Sequence, residues 1–377
     1  MLPQALDRVM PLSRAHRAGL PDAIQELSAL LTFERSGLGR SYWSAPRFVS
    51  AYLRYFLPWN LVRLSRLLPG LELPVPAVPE EDGGMPHVVD LGSGPLTLPL
   101  ALWISRPDWR SVPLELVCVD TVPRPMELGR SLLEAMASLC GEDLRWNIRL
   151  VRSPLLRSFR ELRKRPLLLM AGNVLNELRD KTGSLDERMA ELAMLTSRSL
   201  EPAGAALFVE PGTRLGGTLV STLREAALEE NMTPAAPCPH AESCPMLERG
   251  NRRWCHVVQD AGGPVWLTEL ARKSGLSKDS LSLSFILLRQ SGVVTRTAAF
   301  PEGAEHDLAA RVVSDAFPVP GMGHARYACS EDGFAILPAA GEIPSGALVA
   351  CRRPDAPRKD VKSGALELHW RPRPQKQ

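Results

Sequence analysis

Three cysteines fall close together in residues 237–256, where the sequence reads PCPHAESCPMLERGNRRWCH. Five residues separate Cys238 from Cys244, and ten more separate Cys244 from Cys255. Pro237, Pro239 and Pro245 fix the backbone and remove N–H donors that would compete for the sulfurs. Soft thiolates held on a stiffened loop suit a metal. Three are too few for a closed tetrahedral zinc site unless His240 or His256 joins them, and too few for an iron–sulfur cubane, which takes four. Cys329, in GHARYACSEDG, and Cys351 are the candidates for a fourth thiolate. Cys118 lies in the apolar run LELVCVD and reads as core, and Cys140 ends a helix-like stretch in the other half of the chain. Spacing alone does not choose between zinc and iron–sulfur. The first twenty or so residues lack the uninterrupted apolar core of a signal peptide. With seven cysteines and no such signal, the expectation is a reducing compartment rather than a disulfide framework.

A second stretch, HVVDLGSGP, spans residues 87–95. A β-rich run delivers Asp90 to a turn made by Gly92, Ser93 and Gly94, and the following helix offers unpaired N–H groups. Asp120, closing LELVCVD, is placed for a ribose diol. A nicotinamide dinucleotide loop, G-x-G-x-x-G, wants glycine where Thr97 stands. The acid two residues before Gly92 instead gives D-x-G-x-G, which resembles the class I S-adenosylmethionine-dependent methyltransferases. That resemblance implies S-adenosylmethionine bound by Asp90, Gly92, Ser93, Gly94 and Asp120, with Leu96 where such loops often carry glycine. RPLLLMAGNVLNEL is expected to end where a methyl acceptor sits, with Asn173, Asn176 and Glu177 as its polar groups. Asn173 is counted with the cofactor set. No D/N-P-P-Y motif and no Pro-Cys nucleophile occurs there, so the catalytic residue is unassigned.

The elements that must position these residues follow from periodicity. Residues 1–72 read as a helical region, with Ser44 capping a helix that has Pro46 in its first turn. PGLELPVPAVPEEDGGMP is a linker. Over 85–295, apolar strands alternate with helical stretches, one of them interrupted at Pro99. That alternation predicts an α/β, doubly wound, Rossmann-like sheet, with a Cys-rich, metal-binding insert at about 234–262. Residues 305–352 read as a small β-rich module, and 353–377 as a basic tail expected to be disordered. LTELARKSGLSKDSLSLSFILL offers a rival: a helix, a turn at Gly275 and a second helix would make a metal-sensing helix-turn-helix DNA-binding regulator, although LSLSFILL alternates as a strand does. Net charge is only +3 over 377 residues, so no polyanionic partner is demanded by global charge. Arg249, Arg252 and Arg253 nonetheless cluster on the cysteine loop. No apolar run is long enough to span a bilayer.

PCPHAESCP, the following WCH and the distant cysteine of GHARYACSEDG together resemble the methyltransferase-like small-ribosomal-subunit family. It contains mitochondrial small-subunit assembly factors and bacterial relatives described as predicted rRNA methylases. YWSAPRFVSAYLRYFLPWNLVRL, VVDLGSGP, FVEPGTRLGG and LSFILLR extend the likeness over most of the chain. The resemblance implies a [4Fe–4S] cluster on Cys238, Cys244, Cys255 and Cys329, with a structural or redox-sensing role. It implies rRNA of the small ribosomal subunit as partner, in the cytoplasm of a bacterium, and a monomer off the ribosome. Methylation with S-adenosylmethionine and a non-catalytic assembly or translation role are the two outcomes it leaves open.

Overall fold

The apolar residues of the first third recur three and four apart, and helices result. They are α1 (Leu2–Val9), α2 (Arg14–Ala18), α3 (Leu20–Thr32), α4 (Pro46–Ala51) and α5 (Leu57–Leu67), with one widened turn at Tyr52–Phe56 joining the last two. The structure is a computed structural model that describes residues 1–32, 42–77, 84–178, 184–248, 250, 253–290 and 307–370. Ser44 is not the expected cap: it ends a 3-10 turn, Tyr42–Ser44, and Ala45 precedes the helix, with Pro46 in the first turn. Next come β1 (His87–Leu91), α6 (Thr97–Ser105), α7 (Pro107–Arg110), β2 (Leu114–Asp120), α8 (Pro123–Cys140), β3 (Trp146–Arg152) and α9 (Leu155–Ser158). Pro99 does not interrupt α6, because it stands in the first turn, where no intrahelical hydrogen bond is lost. The sequence reading leaves out β3: WNIRLVR carries two arginines and an asparagine and is mostly half-buried.

The chain continues through β4 (Leu168–Gly172), α10 (Leu185–Ser199), β5 (Ala205–Pro211), α11 (Arg214–Glu229), β6 (Met232–Ala236), β7 (Val257–Asp260), α12 (Val265–Lys273) and β8 (Ser280–Gln290). Ser184 and Glu187 form a reciprocal capping box that starts α10. After α12 and Gly275 the backbone enters β8, an extended strand of 11 residues. The helix-turn-helix alternative therefore falls: the segment that would read bases is a sheet strand with Phe285, Ile286, Leu287 and Leu288 buried. The remainder is all β: β9 (Asp307–Val312), β10 (Phe317–Val319), β11 (Gly323–Ser330), β12 (Gly333–Leu337), β13 (Leu348–Arg352), β14 (Leu366–Glu367) and β15 (His369–Trp370).

The residues group into two units, Met1–Lys164 with Asp260–Leu281, and Arg165–Gln259 with Ser282–Gln377. In the first, β1, β2 and β3 pair in parallel in the order β3-β2-β1. Leu20, Ile24, Leu27, Tyr55 and Trp59 of the N-terminal helices pack with Leu267 and Ala271 of α12. In the second, β4 and β5 are parallel, and β8 lies antiparallel between β5 and β6. The C-terminal strands run in the order β14-β12-β11-β9-β13-β15. The tail expected from residue 353 does not begin there. LELHW puts β14 against β12 and β15 against β13, Leu368 is fully buried, and Trp370 Nε1 donates to Pro338 O at 2.8 Å. Residues 371–377 lie outside the described part. The fold is α/β and Rossmann-like, of class I methyltransferase type, preceded by helices and followed by a β-rich module. Among the described residues no helix is long and apolar enough to cross a membrane.

Candidate functional site

Within the second unit, Cys238, Cys244, Cys255 and Cys329 line one cavity. Each arrives by a different device. Cys238 follows β6, whose pairing with β8 ends at Ala236. Cys244 starts the 3-10 turn Pro245–Leu247, and its N–H donates to Glu225 of α11 at 3.1 Å. Cys255 is held through its neighbours: Trp254 Nε1 donates to Gly212 O at 2.9 Å, and Ser284 Oγ of β8 donates to Cys255 O at 2.7 Å. The approach of this segment to α11 requires glycine. A Cβ on Gly217 would stand 2.8 Å from Trp254 Cδ1 and 3.1 Å from Cys255 O. Cys329 comes from β11, opposite Arg311 on β9 and Phe334 on β12.

Two arginines complete the lining. Arg224 is 2 % exposed. Its Nε donates to Cys238 Sγ at 3.3 Å, and its Nη2 to His240 O at 3.0 Å and Glu242 O at 2.6 Å. It also pairs with Glu225. Arg311 donates from Nε to Pro237 O at 2.7 Å and from Nη1 to Gly346 O at 2.8 Å. His240 Nε2 lies 3.2 Å from Cys329 Sγ, while its Nδ1 is buried without a hydrogen-bond partner. Burial, with Arg224 nearby, holds His240 below the usual histidine range. Burial pushes the Cys238 thiol up and the Cys255 and Cys329 thiols well up.

Sequence reasoning misses Arg224 and Arg311. Arg224 has a signal: it falls on the buried face of α11 with Val220, Leu223 and Ala227, where a charge needs a partner. Arg311 has none, since β9 alternates and its position reads as the outward face. Cys351 packs in a separate cluster with Leu308, Ala310 and Leu337. In the first unit, Cys118 is core on β2, and Cys140 closes α8 with its Sγ 3.3 Å from Met1 Sδ. His256 does not join the thiols. It stacks on Trp254 at 5.1 Å between centroids. Arg253 lies over the Tyr327 ring at 4.9 Å, and Arg249 and Arg252 lie outside the described residues. Among those described, no group of three or more His, Cys, Asp or Glu side chains is drawn tightly enough to hold a metal ion. The sulfurs help line a cavity of about 20 Å³.

In the first unit, β1 delivers Asp90 to the glycine turn. Gly92, Gly94 and Leu96 have φ of 65°, 48° and 56°, and a Cβ on Gly94 would meet nothing within 4 Å. The approach to that backbone is open, as a bound ligand requires. Leu96 is fully buried, with its Cβ against Gly129 of α8, where added bulk would stand 2.9 Å away. Its side chain is core. Ser93 Oγ donates to Asp90 O at 2.7 Å and accepts from Val119 N at 3.1 Å. Asp120 accepts from Gly94 N and Val122 N, each at 2.9 Å. Asp90 is 1 % exposed, its Oδ2 has no partner, and burial, with Asp120 adding to it, pushes its carboxyl up to about 8.

Asn173 belongs to the second unit. It is left-handed at φ 57°, and its N–H donates to Val209 O at 2.8 Å. Glu210, buried at the end of β5, accepts from Val174 N and Leu175 N at 2.8 Å each. Asn176 Oδ1 is buried with no hydrogen-bond partner.

The model of one family, described as mitochondrial small ribosomal subunit Rsm22, matches residues 50–281. No curated protein matches the sequence. Solved structures that the chain is similar to include an O-methyltransferase family protein from Burkholderia thailandensis, at 15% identity over 74% of this chain and 71% of that one, with a TM-score of 0.36. Precorrin-6y C5,15-methyltransferase from Geobacter metallireducens GS-15 matches at 13% identity over 62% and 86%, TM-score 0.34. TrmN from Thermus thermophilus matches at 16% over 63% and 53%, TM-score 0.33.

Proposed function

The chain belongs to the mitochondrial small ribosomal subunit Rsm22 family, and from that premise we propose that it is an iron–sulfur, methyltransferase-like protein that binds rRNA of the small ribosomal subunit. The observation that carries this reading is the convergence of four thiols on one cavity that buried Arg224 and half-buried Arg311 also line. Cys238, Cys244, Cys255 and Cys329 would hold a [4Fe–4S] cluster. When bound, such a cluster supplies a cross-link between distant parts of the chain and a one-electron couple. Four thiolates carry more negative charge than the iron core offsets, and buried negative charge needs cations nearby. Arg224 and Arg311 are those cations. The Nε–H of Arg224 that meets Cys238 stabilises that sulfur as an anion.

S-adenosylmethionine fits the open turn at Gly92, Ser93 and Gly94, beside Asp90 and Asp120. One observation favours the second reading, a non-catalytic assembly or translation factor. Both Asp120 oxygens already accept backbone N–H groups of the loop and its own turn, and this leaves less for a ribose. A titration with labelled S-adenosylmethionine, with Gly92→Arg as control, separates the two. Saturable binding lost in the variant supports the enzyme, and no binding to the parent protein leaves assembly alone. The cluster is tested by iron and sulfide analysis of protein purified without oxygen. Brown protein with about four irons and four sulfides per chain is expected, whereas colourless protein with one zinc overturns the assignment. Co-sedimentation with purified small subunits tests the partner.

A further inference from the structure

We propose that a groove of the second unit, adjoining the thiol cavity at Val313, binds an unpaired nucleobase of single-stranded RNA. The inference rests on the RNA-binding reading above and adds a site to it. The groove has a volume of about 240 Å³ and lies between the Arg253–His256 segment and strands β10 and β11. Its walls are ring faces that stay half-exposed. Trp254 and His256 stack with their planes 25° apart. Across the groove, Tyr327 lies between Phe317, at 4.5 Å, and Phe334, at 4.8 Å between centroids. Arg253 donates to Tyr327 Oη at 2.9 Å and lays its guanidinium over the same ring. Flat rings and a guanidinium plane are the groups on which unstacked bases settle.

The polar edge argues against an apolar peptide as occupant. Asp315 lines the groove, its side chain 70 % exposed, with Arg326 at 3.8 Å. An apolar cover would bury that carboxylate without supplying donors, a costly transfer. A base edge brings N–H donors to it. A duplex keeps its bases stacked inside and cannot offer one to these rings.

The test uses the full chain and a short fluorescent single-stranded RNA, with photo-crosslinking through 4-thiouridine. Crosslinks are expected in the peptides carrying Trp254–His256 or Phe317–Tyr327. Phe317→Ala is expected to weaken binding roughly tenfold or more, the range of one lost base–ring stack, with its melting temperature used to check folding. Asp315→Asn, on an exposed side chain, keeps the fold intact and is expected to change the preference among bases. Unchanged binding in both variants, with crosslinks elsewhere, overturns the groove while the RNA reading stands. No binding by the parent chain overturns both. If Phe317→Ala loses intact small subunits but not the single strand, a protein segment occupies the groove and the proposal falls.

Discussion

Asp90 holds its proton far more tightly in the folded chain than an aspartate in water, at about 8 against about 3.9 unfolded. The raised folded value means that its contribution to stability is greatest below about pH 4 and is lost as pH rises through about 8. Asp90→Asn removes that titration. Denaturant unfolding of the variant and its parent across this window is expected to show the variant gaining relative stability with pH, by several kcal/mol at most. Parallel curves would mean the carboxyl is hydrated. Among the thiols, Cys329→Ser is expected to lose iron as fully as Cys244→Ser, while Cys351→Ser keeps it, because Cys351 packs in another cluster. Iron per chain is the measurement, and equal loss at position 351 would overturn the ligand set.

Helix α11 and the strands around it set where the cysteines go, and Gly217 is the point of closest approach. In an exposed helix, Gly→Ala stabilises by about 1 kcal/mol. Here the added methyl meets Trp254 Cβ at 2.9 Å and Cys255 O at 3.1 Å. Gly217→Ala is therefore expected to destabilise by roughly 1–3 kcal/mol and to lower iron loading, since Cys255 must shift. Urea unfolding and iron content read both, and a stabilised variant would sink the packing account. Several elements were legible as patterns, β1, β2, β4 and β5 as apolar runs and α8 and α10 by helical spacing. Strand β3 was not, because Asn147, Arg149 and Arg152 break its apolar run even though Trp146, Ile148 and Leu150 alternate along it, and Pro99 misleads because position within a helix decides what proline costs.

For the whole molecule, the cysteine loop and β11 are separated by more than 70 residues of chain (Cys255 to Cys329) yet share one cavity. A cluster bound there would tie them together, and its binding energy would add to folding. Iron removal by an anaerobic chelator is expected to lower the melting temperature by several degrees in the parent chain and not in Cys329→Ser. An unchanged melt would show that the centre adds nothing to the fold. The sequence by itself determined the α/β class, the glycine turn after β1 and the clustering of three thiols, because strand and helix periodicity, positive-φ glycines and short cysteine spacing are local properties of the chain. It left the fourth thiol to a resemblance, and it left out Arg224, which donates to Cys238, and Arg311, which lines the same cavity. It also placed the end of the β-module too early. Those were decided only by tertiary structure, since which buried charge meets which sulfur, and whether LELHW finds a sheet edge, depends on contacts between residues far apart in the chain.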